Sequence, residues 1–215
     1  MLKAYKYRIY PTKEQLILIE KHFGSTRFLY NFFLDFRQKE YEKGNSLNYN
    51  DTQSKLAVLK KQEEYIWLNE CGSQSLQMSL RELDTAYKRF FKKQGGYPKF
   101  KSKRNTHQSF TAPQNIKVAN NKVHLPKFVK DGIKTKFHRE IPKDSILKQA
   151  TVSRQNNQYF VSILLDDNIS IPKPIEPKNA VGLDMGIKDL IITSDSVKYQ
   201  NKKYTIKSQK KLKKL

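Results

Sequence analysis

The hydrophobic period of this chain changes near residue 108, and that switch restricts its architecture more than any single motif. Before it, apolar residues recur every three or four positions; after it, they alternate with polar ones and are broken by turn residues. A helical pattern cannot bury one face of a strand, nor an alternating one a face of a helix. The expected fold class is therefore α+β, with helices and strands segregated along the chain. One segment stands apart. Residues 3 to 10, KAYKYRIY, alternate and are rich in Tyr, which predicts a strand ahead of the helices.

Pro11 ends that strand, and Thr12 stands three residues before Gln15, the spacing of a capping box. Leu16, Ile19 and Phe23 then share a helical face up to Gly24. Ser25 or Thr26 is placed to cap a second helix, in which Phe28, Leu29, Phe32, Phe33 and Phe36 recur until Gly44. Asn50 and Asp51 open a third, weaker helix through Leu56 and Leu59. Ser73 opens a fourth, striped by Leu76, Leu80, Leu83, Tyr87 and Phe90 and ended by Gly95 and Gly96.

In the β half, Asn120-Asn121 and Asn156-Asn157 each separate two β-prone runs. Asn tolerates positive φ, so both read as hairpin turns. Pro172, Pro174 and Pro177 make the segment around 173–179 a linker. Beyond it, Ala180 to Asp184 and Leu190 to Thr193 read as strands of a further domain, followed by a lysine-rich helix start. Two or three strands make a small sheet, so poor packing is expected there.

The charge is lopsided: 42 Lys and Arg against 20 Asp and Glu leave +22 at pH 7. Such a surplus repels itself unless a polyanion neutralises it, which points to DNA or RNA. No apolar run reaches the roughly 20 residues of a spanning helix, and no secretory leader pattern is read at the amino terminus. The expectation is a soluble intracellular protein with no membrane partner. Cys71, the one cysteine, permits neither an internal disulfide nor a four-cysteine zinc site, and reads as a small buried hydrophobe.

From Thr85 to Lys130 the chain has no Asp or Glu but twelve Lys or Arg. The densest part, KRFFKKQGGYPKFKSKR, carries Lys88, Arg89, Lys92 and Lys93, then Lys99, Lys101, Lys103 and Arg104 interleaved with Tyr97 and Phe100. Cations supply affinity for phosphate and aromatics stack on bases, so the composition suits nucleic-acid contact. The plainer alternative is a solvated helix end with its aromatics turned inward. Gly182-Leu183-Asp184-Met185-Gly186 places a carboxylate between glycines at a strand end. Metal-dependent nucleases present Mg²⁺ ligands this way, and an ordinary turn between strands has the same composition. His22, His107, His124 and His138 lie far apart without ligand spacing and read as surface or turn residues. No Lys-Ser/Thr phosphate loop and no marked nucleophile occur, so no small-molecule substrate is expected.

KAYKYRIYPTKEQ, STRFLYNFFLDFR, WLNECGSQSLQMSLRELDTAYKRFFKK, GGYPKFKSKR and GLDMGIKDLIITSD occur in this order. In that order and spacing the whole chain resembles the TnpB/OrfB family of insertion-sequence proteins, which are transposon-encoded RNA-guided DNA endonucleases. The resemblance implies a helical recognition domain, residues 11–107, inserted into a β-barrel wedge domain, residues 1–10 and 108–172. Residues 180–215 would then be the incomplete start of an RNase H-like (RuvC) domain.

It also implies the partners, a guide RNA from the transposon end and target duplex DNA, and a cytoplasmic, nucleoid-associated location in a prokaryote. Base pairing would read the target while the protein reads a short adjacent motif. Ser73, Gln74 and Gln77 are candidates for that reading, since a Gln amide can pair with adenine; Ser73 as a simple cap with solvated glutamines is the alternative. Asp184 matches the first RuvC carboxylate, a Mg²⁺ ligand. The family's later Glu, second Asp and zinc ribbon have no counterpart in these residues, so the chain is expected to bind without cutting. A non-cleaving DNA- or RNA-binding regulator from the same family is the second expectation.

Overall fold

The alternation of residues 3 to 10 and the Thr12/Gln15 pair set the first two elements. The computed structural model describes residues 1–128, 131–173 and 179–213. Strand β1 spans Leu2–Tyr10 and leads into helix α1, Lys13–Glu42. At the junction Gln15 N–H donates to Thr12 Oγ1 and Thr12 N–H donates to Gln15 Oε1, completing the capping box. The Gln15 amide nitrogen also donates to the Gly132 carbonyl at 2.8 Å, fixing the first turn of α1 to the β half.

α1 is one helix of 30 residues, where two were expected. Gly24 does not break it. Ser25 and Thr26 are buried, and the Thr26 hydroxyl donates back to the His22 carbonyl at 2.8 Å instead of capping a new helix. The reason lies in the packing. Ile19 and Phe23 enter one core, lined by Tyr7, Ile9, Phe110, Val152 and Val161. Leu29, Tyr30, Phe33 and Leu34 enter another, formed with Leu56, Leu68, Leu76 and Leu83. Each such buried side chain contributes roughly 1.5–3 kcal/mol, far more than the ~1 kcal/mol a helical glycine costs. α1 ends where Gly44, at φ +87°, donates to the Tyr41 carbonyl while Asn45 donates to that of Glu40.

Helix α2, Tyr49–Leu59, is capped by Asn48 rather than Asn50, with Asp51 reaching back to the Asn48 N–H. A 3-10 segment, Glu63–Glu70, leads to helix α3, Ser73–Phe91. α3 stops at Lys93, which adopts φ +57° while Gln94 N–H closes onto the Arg89 carbonyl, so Gly95 and Gly96 follow the end and do not make it. Cys71 is buried, its thiol donating to Ser25 Oγ.

The β half supplies β2 (Gln108–Ala112), β3 (Lys117–Ala119), β4 (Lys122–His124), β5 (Ile133–Lys136), β6 (Ile146–Gln155) and β7 (Gln158–Asp166). With β1 they form a seven-stranded antiparallel sheet in the order β2-β6-β7-β1-β5-β4-β3. β1 lies inside this sheet, Leu2 facing Asp166 and Ile9 facing Tyr159 on one side, Arg8 facing Lys136 on the other. Asn120, Asn121, Asn156 and Asn157 all have φ near +50 to +60°, as two-residue hairpin turns require. The expected closed barrel is not formed: among the described residues the edge strands β2 and β3 do not pair, and the sheet is open. The β3–β4 hairpin at one edge is short, three residues per strand.

Residues 171–215 form a separate unit with a small sheet of β8 (Leu183–Asp184), β9 (Asp189–Thr193) and β10 (Lys198–Gln200), then helix α4, Tyr204–Leu212. None of its described side chains is buried. Pro174 and Pro177 of the expected linker lie outside the described residues. No helix among those described is long and apolar enough to cross a membrane.

Candidate nucleic-acid interface

The cationic segment begins on the last turns of α3 and continues along a loop clamped at several points. Tyr97 meets Tyr87 and Phe90 edge-on, at ring distances of 5.7 and 5.2 Å, and Pro98 is buried. Asn31 of α1 then holds the loop from both sides: its Oδ1 accepts from Lys101 N–H at 2.7 Å and its Nδ2 donates to the Lys101 carbonyl at 2.9 Å. Gln108 gathers the far end by donating to the carbonyls of Ser102 and Asn105, while Arg27 donates to its Oε1. An ordered backbone thus carries the exposed side chains.

The eight cations of the cluster divide into two groups. Lys88 pairs with Asp84 at 2.8 Å, and Lys101 pairs with Glu82 at 2.8 Å while lying over the Tyr30 ring. Those two answer protein carboxylates. Among the described residues Arg89, Lys92, Lys93, Lys99, Lys103 and Arg104 have no acidic partner within ion-pair distance. Phe100 is exposed beside them. Unanswered cations and an exposed ring on a held backbone can contact phosphates and a base face without first ordering a loop.

A second feature lies between α2 and α3. An open groove of about 470 Å³ is lined by Asn50, Gln53, Ser54 and Lys60 on one side and by Ser73 and Gln77 on the other. Ser73 does not cap α3; its hydroxyl accepts from Lys60 Nζ at 2.9 Å. Gln74 is half-buried and does not line the groove. Asn50, Gln53 and Lys60 were missed in the sequence. Their signal was present, as polar residues of α2 flanking Leu56 and Ala57, which also line the groove, but nothing in the chain tells what that face meets.

α3 is set in place by His22, which is buried and not a surface residue as the sequence suggested. Its Nε2 accepts from Gly72 N–H at 3.2 Å and its Nδ1 donates to the Leu18 carbonyl at 2.8 Å. Accepting at Nε2 fixes the neutral form with the proton on Nδ1. The ring packs on Phe110 and Phe128, and this burial lowers its pKa against the smaller raising effect of the Leu18 bond. Besides Leu18, one turn back in α1, partners from three distant segments hold the imidazole, which is why the spacing of His22 gave no hint of them.

Asp184 lies at the end of β8, opposite Ile192, and is exposed. Gly182 exchanges hydrogen bonds with Ser194, and a Cβ on Gly186 would come within 3.0 Å of the Asp189 carbonyl. Gly186 therefore serves a tight turn. Among the described residues no three His, Cys, Asp or Glu side chains come together in a way that could hold a metal ion.

Residues 1–46 match a family model described as the helix-turn-helix domain of OrfB proteins. In this chain those residues form β1 and an uninterrupted α1, without a turn between two helices. Over all of its residues the chain is 32% identical to InsQ of Escherichia coli K12, which bears the name of an RNA-guided DNA endonuclease. It is 33% identical over 98% of its length to a Streptomyces pristinaespiralis protein of the same naming. It spans about half of each, 52% in both cases. A shorter relative, the virulence protein VsdF of Salmonella dublin, is 37% identical over 113 residues, which are 95% of its own length and 48% of this chain.

Proposed function

Because this chain belongs to the TnpB/OrfB family of insertion-sequence proteins, we propose that its 215 residues are the nucleic-acid-binding part of a transposon-encoded, RNA-guided DNA endonuclease. The observation that carries this reading is the set of six cations without acidic partners among the described residues, Arg89, Lys92 and Lys93 at the end of α3 and Lys99, Lys103 and Arg104 on the loop held by Asn31 and Gln108. In this reading β1 with residues 108–172 is the wedge domain, residues 11–107 are the recognition domain, and residues 180–215 open an RNase H-like sheet. The clamped cations contact the backbone of the guide RNA, the target strand or both. The amide groove of Asn50, Gln53, Ser73 and Gln77 faces base edges, because Asn and Gln can make paired hydrogen bonds to adenine. Gln74, outside the lining of the groove, has the weaker case.

In the same reading Asp184 is one Mg²⁺ ligand of the intact family site, and the absence of a three-ligand cluster among the described residues supports taking that site as incomplete here. They bind nucleic acid and do not cut it. That also suits the second reading, a non-cleaving regulator of the same family. The test is to titrate the chain with structured RNA and with duplex DNA at several salt concentrations. Replacing Lys99, Lys103 and Arg104 together by Gln should flatten the salt slope by roughly 0.7–0.9 per lost phosphate contact. An unchanged slope would remove the cluster from the interface, and Mg²⁺-dependent cutting by these residues alone would refute the binding-only assignment.

A further inference from the structure

The carboxyl ends of α1 and α3 enclose a cavity of about 160 Å³ whose walls are mainly aromatic: Tyr41, Tyr87, Phe90, Phe91 and Tyr97, with Arg37 alongside. It is smaller than the roughly 300–1,000 Å³ of ordinary small-molecule pockets, and suits one flat ring. Tyr87 and Phe91 lie nearly parallel, at 19° and 6.3 Å between centroids, while Tyr97 stands perpendicular to Tyr87 and Phe90. Tyr41 and Phe91 are 74% and 71% exposed and Tyr97 is 42% exposed, an unusual display for three large rings in one place.

Asn45, Ser46 and Leu47 complete the lining, and several of its polar groups are engaged, Asn45 Nδ2 by Glu40 Oε2. The Tyr87 and Tyr97 hydroxyls lie 3.2 Å apart, and Arg37 sits over the Tyr87 ring at 4.2 Å while donating to Asp84 at 3.3 Å. Burial, and after it the Tyr97 hydroxyl, push the Tyr87 pKa upward, so its ring stays neutral. The pocket therefore offers mainly π-faces, with the Tyr41 and Ser46 hydroxyls and the Asn45 amide oxygen left to meet the polar edge of a ring. Its rim follows directly on the chain into Lys92 and Lys93, which with Arg89 have no acidic partner among the described residues. Aromatic faces beside unanswered cations complement a ring that carries a phosphate.

Resting on the nucleic-acid-binding reading above, we propose that this pocket receives one unstacked nucleobase from a single-stranded or bulged segment, with Arg89, Lys92 and Lys93 meeting the adjoining phosphates. Stacking tolerates any base, so the pocket contributes affinity for unpaired strands rather than sequence.

The test compares the 215-residue chain with Tyr41→Ala/Phe91→Ala, both truncations being at exposed positions, using labelled 12-mers of oligo(U), oligo(dT) and an abasic strand, and a DNA duplex. Circular dichroism confirms that the variant is folded. The expected result is an affinity for oligo(U) or oligo(dT) reduced about fivefold or more, the lower end for one stacked base. The abasic strand and the duplex should bind both proteins alike, with equal salt slopes. The stronger loss, RNA or DNA, identifies the source of the base. Equal binding of the 12-mers by both proteins overturns the pocket assignment and leaves the general binding reading intact. Absence of binding by the unsubstituted chain overturns both.

Discussion

Replacing His22 by Phe separates what the imidazole does as a flat ring from what it does as a hydrogen-bonding group. The Phe ring keeps the packing on Phe110 and Phe128, so no cavity opens. It leaves the buried N–H of Gly72 without its acceptor. An unsatisfied buried amide costs about 1–3 kcal/mol, which for a protein of this size lowers Tm by about 2–4 °C per kcal/mol. The pH dependence gives the sharper signature. Burial depresses the folded-state pKa of His22, so below the unfolded value of about 6.5 the unfolded chain binds a proton that the folded chain resists. The stability from His22 is thus complete above about pH 7 and is lost as pH falls through 6.5 toward the folded pKa. The Phe variant has no such loss. Urea denaturation followed by circular dichroism at about pH 8 and about pH 5.5 should show the variant less stable at the higher pH and the gap narrowing at the lower. Equal stability at pH 8, or a gap that widens on acidification, would refute the reasoning.

Other consequences can be measured alongside. A Cβ on Gly24 meets nothing within 4 Å, so Gly24→Ala should stabilise the continuous helix by about 0.5–1 kcal/mol and raise Tm, whereas a native break at that position would make it destabilising. Asn31→Ala removes both clamps on Lys101, at about 0.5–1.5 kcal/mol each, and should speed hydrogen exchange at Lys101 more than in the β6–β7 hairpin. The Lys3 ammonium, aided by the chain's amino terminus, holds the Asp167 carboxyl well below the usual carboxylate range. Its stability is present above about pH 4 and lost as pH falls below, so Lys3→Gln should flatten the acid limb of a stability–pH curve; an unchanged limb would count against the pair.

What was legible in the sequence was chemistry that completes itself within a few residues. Thr12 and Gln15 cap each other, and Asn120-Asn121 and Asn156-Asn157 supply the positive φ their hairpins need. Gly24 was misread because a glycine is a local signal, while the continuity of α1 is decided by cores built from residues tens of positions away. The spacing of Ile19, Phe23, Thr26, Tyr30, Phe33 and Arg37 runs through Gly24 without a change of phase, and that was the readable sign. The cationic cluster was visible as composition. The Lys88–Asp84 pair follows from i,i+4 spacing along α3, but that Lys101 answers Glu82 was not readable, since that pair depends on where the loop returns against α3.

The uninterrupted α1 makes residue count a constraint of its own. One residue inserted or deleted near Gly24 would turn everything beyond it by about 100° and shift it by about 1.5 Å. Phe23 and Tyr30 could then no longer face their separate cores together. Between relatives, length differences should accordingly be absorbed in the connections, such as 43–48 and 92–107, while the interval from Thr12 to Glu42 is conserved to the residue.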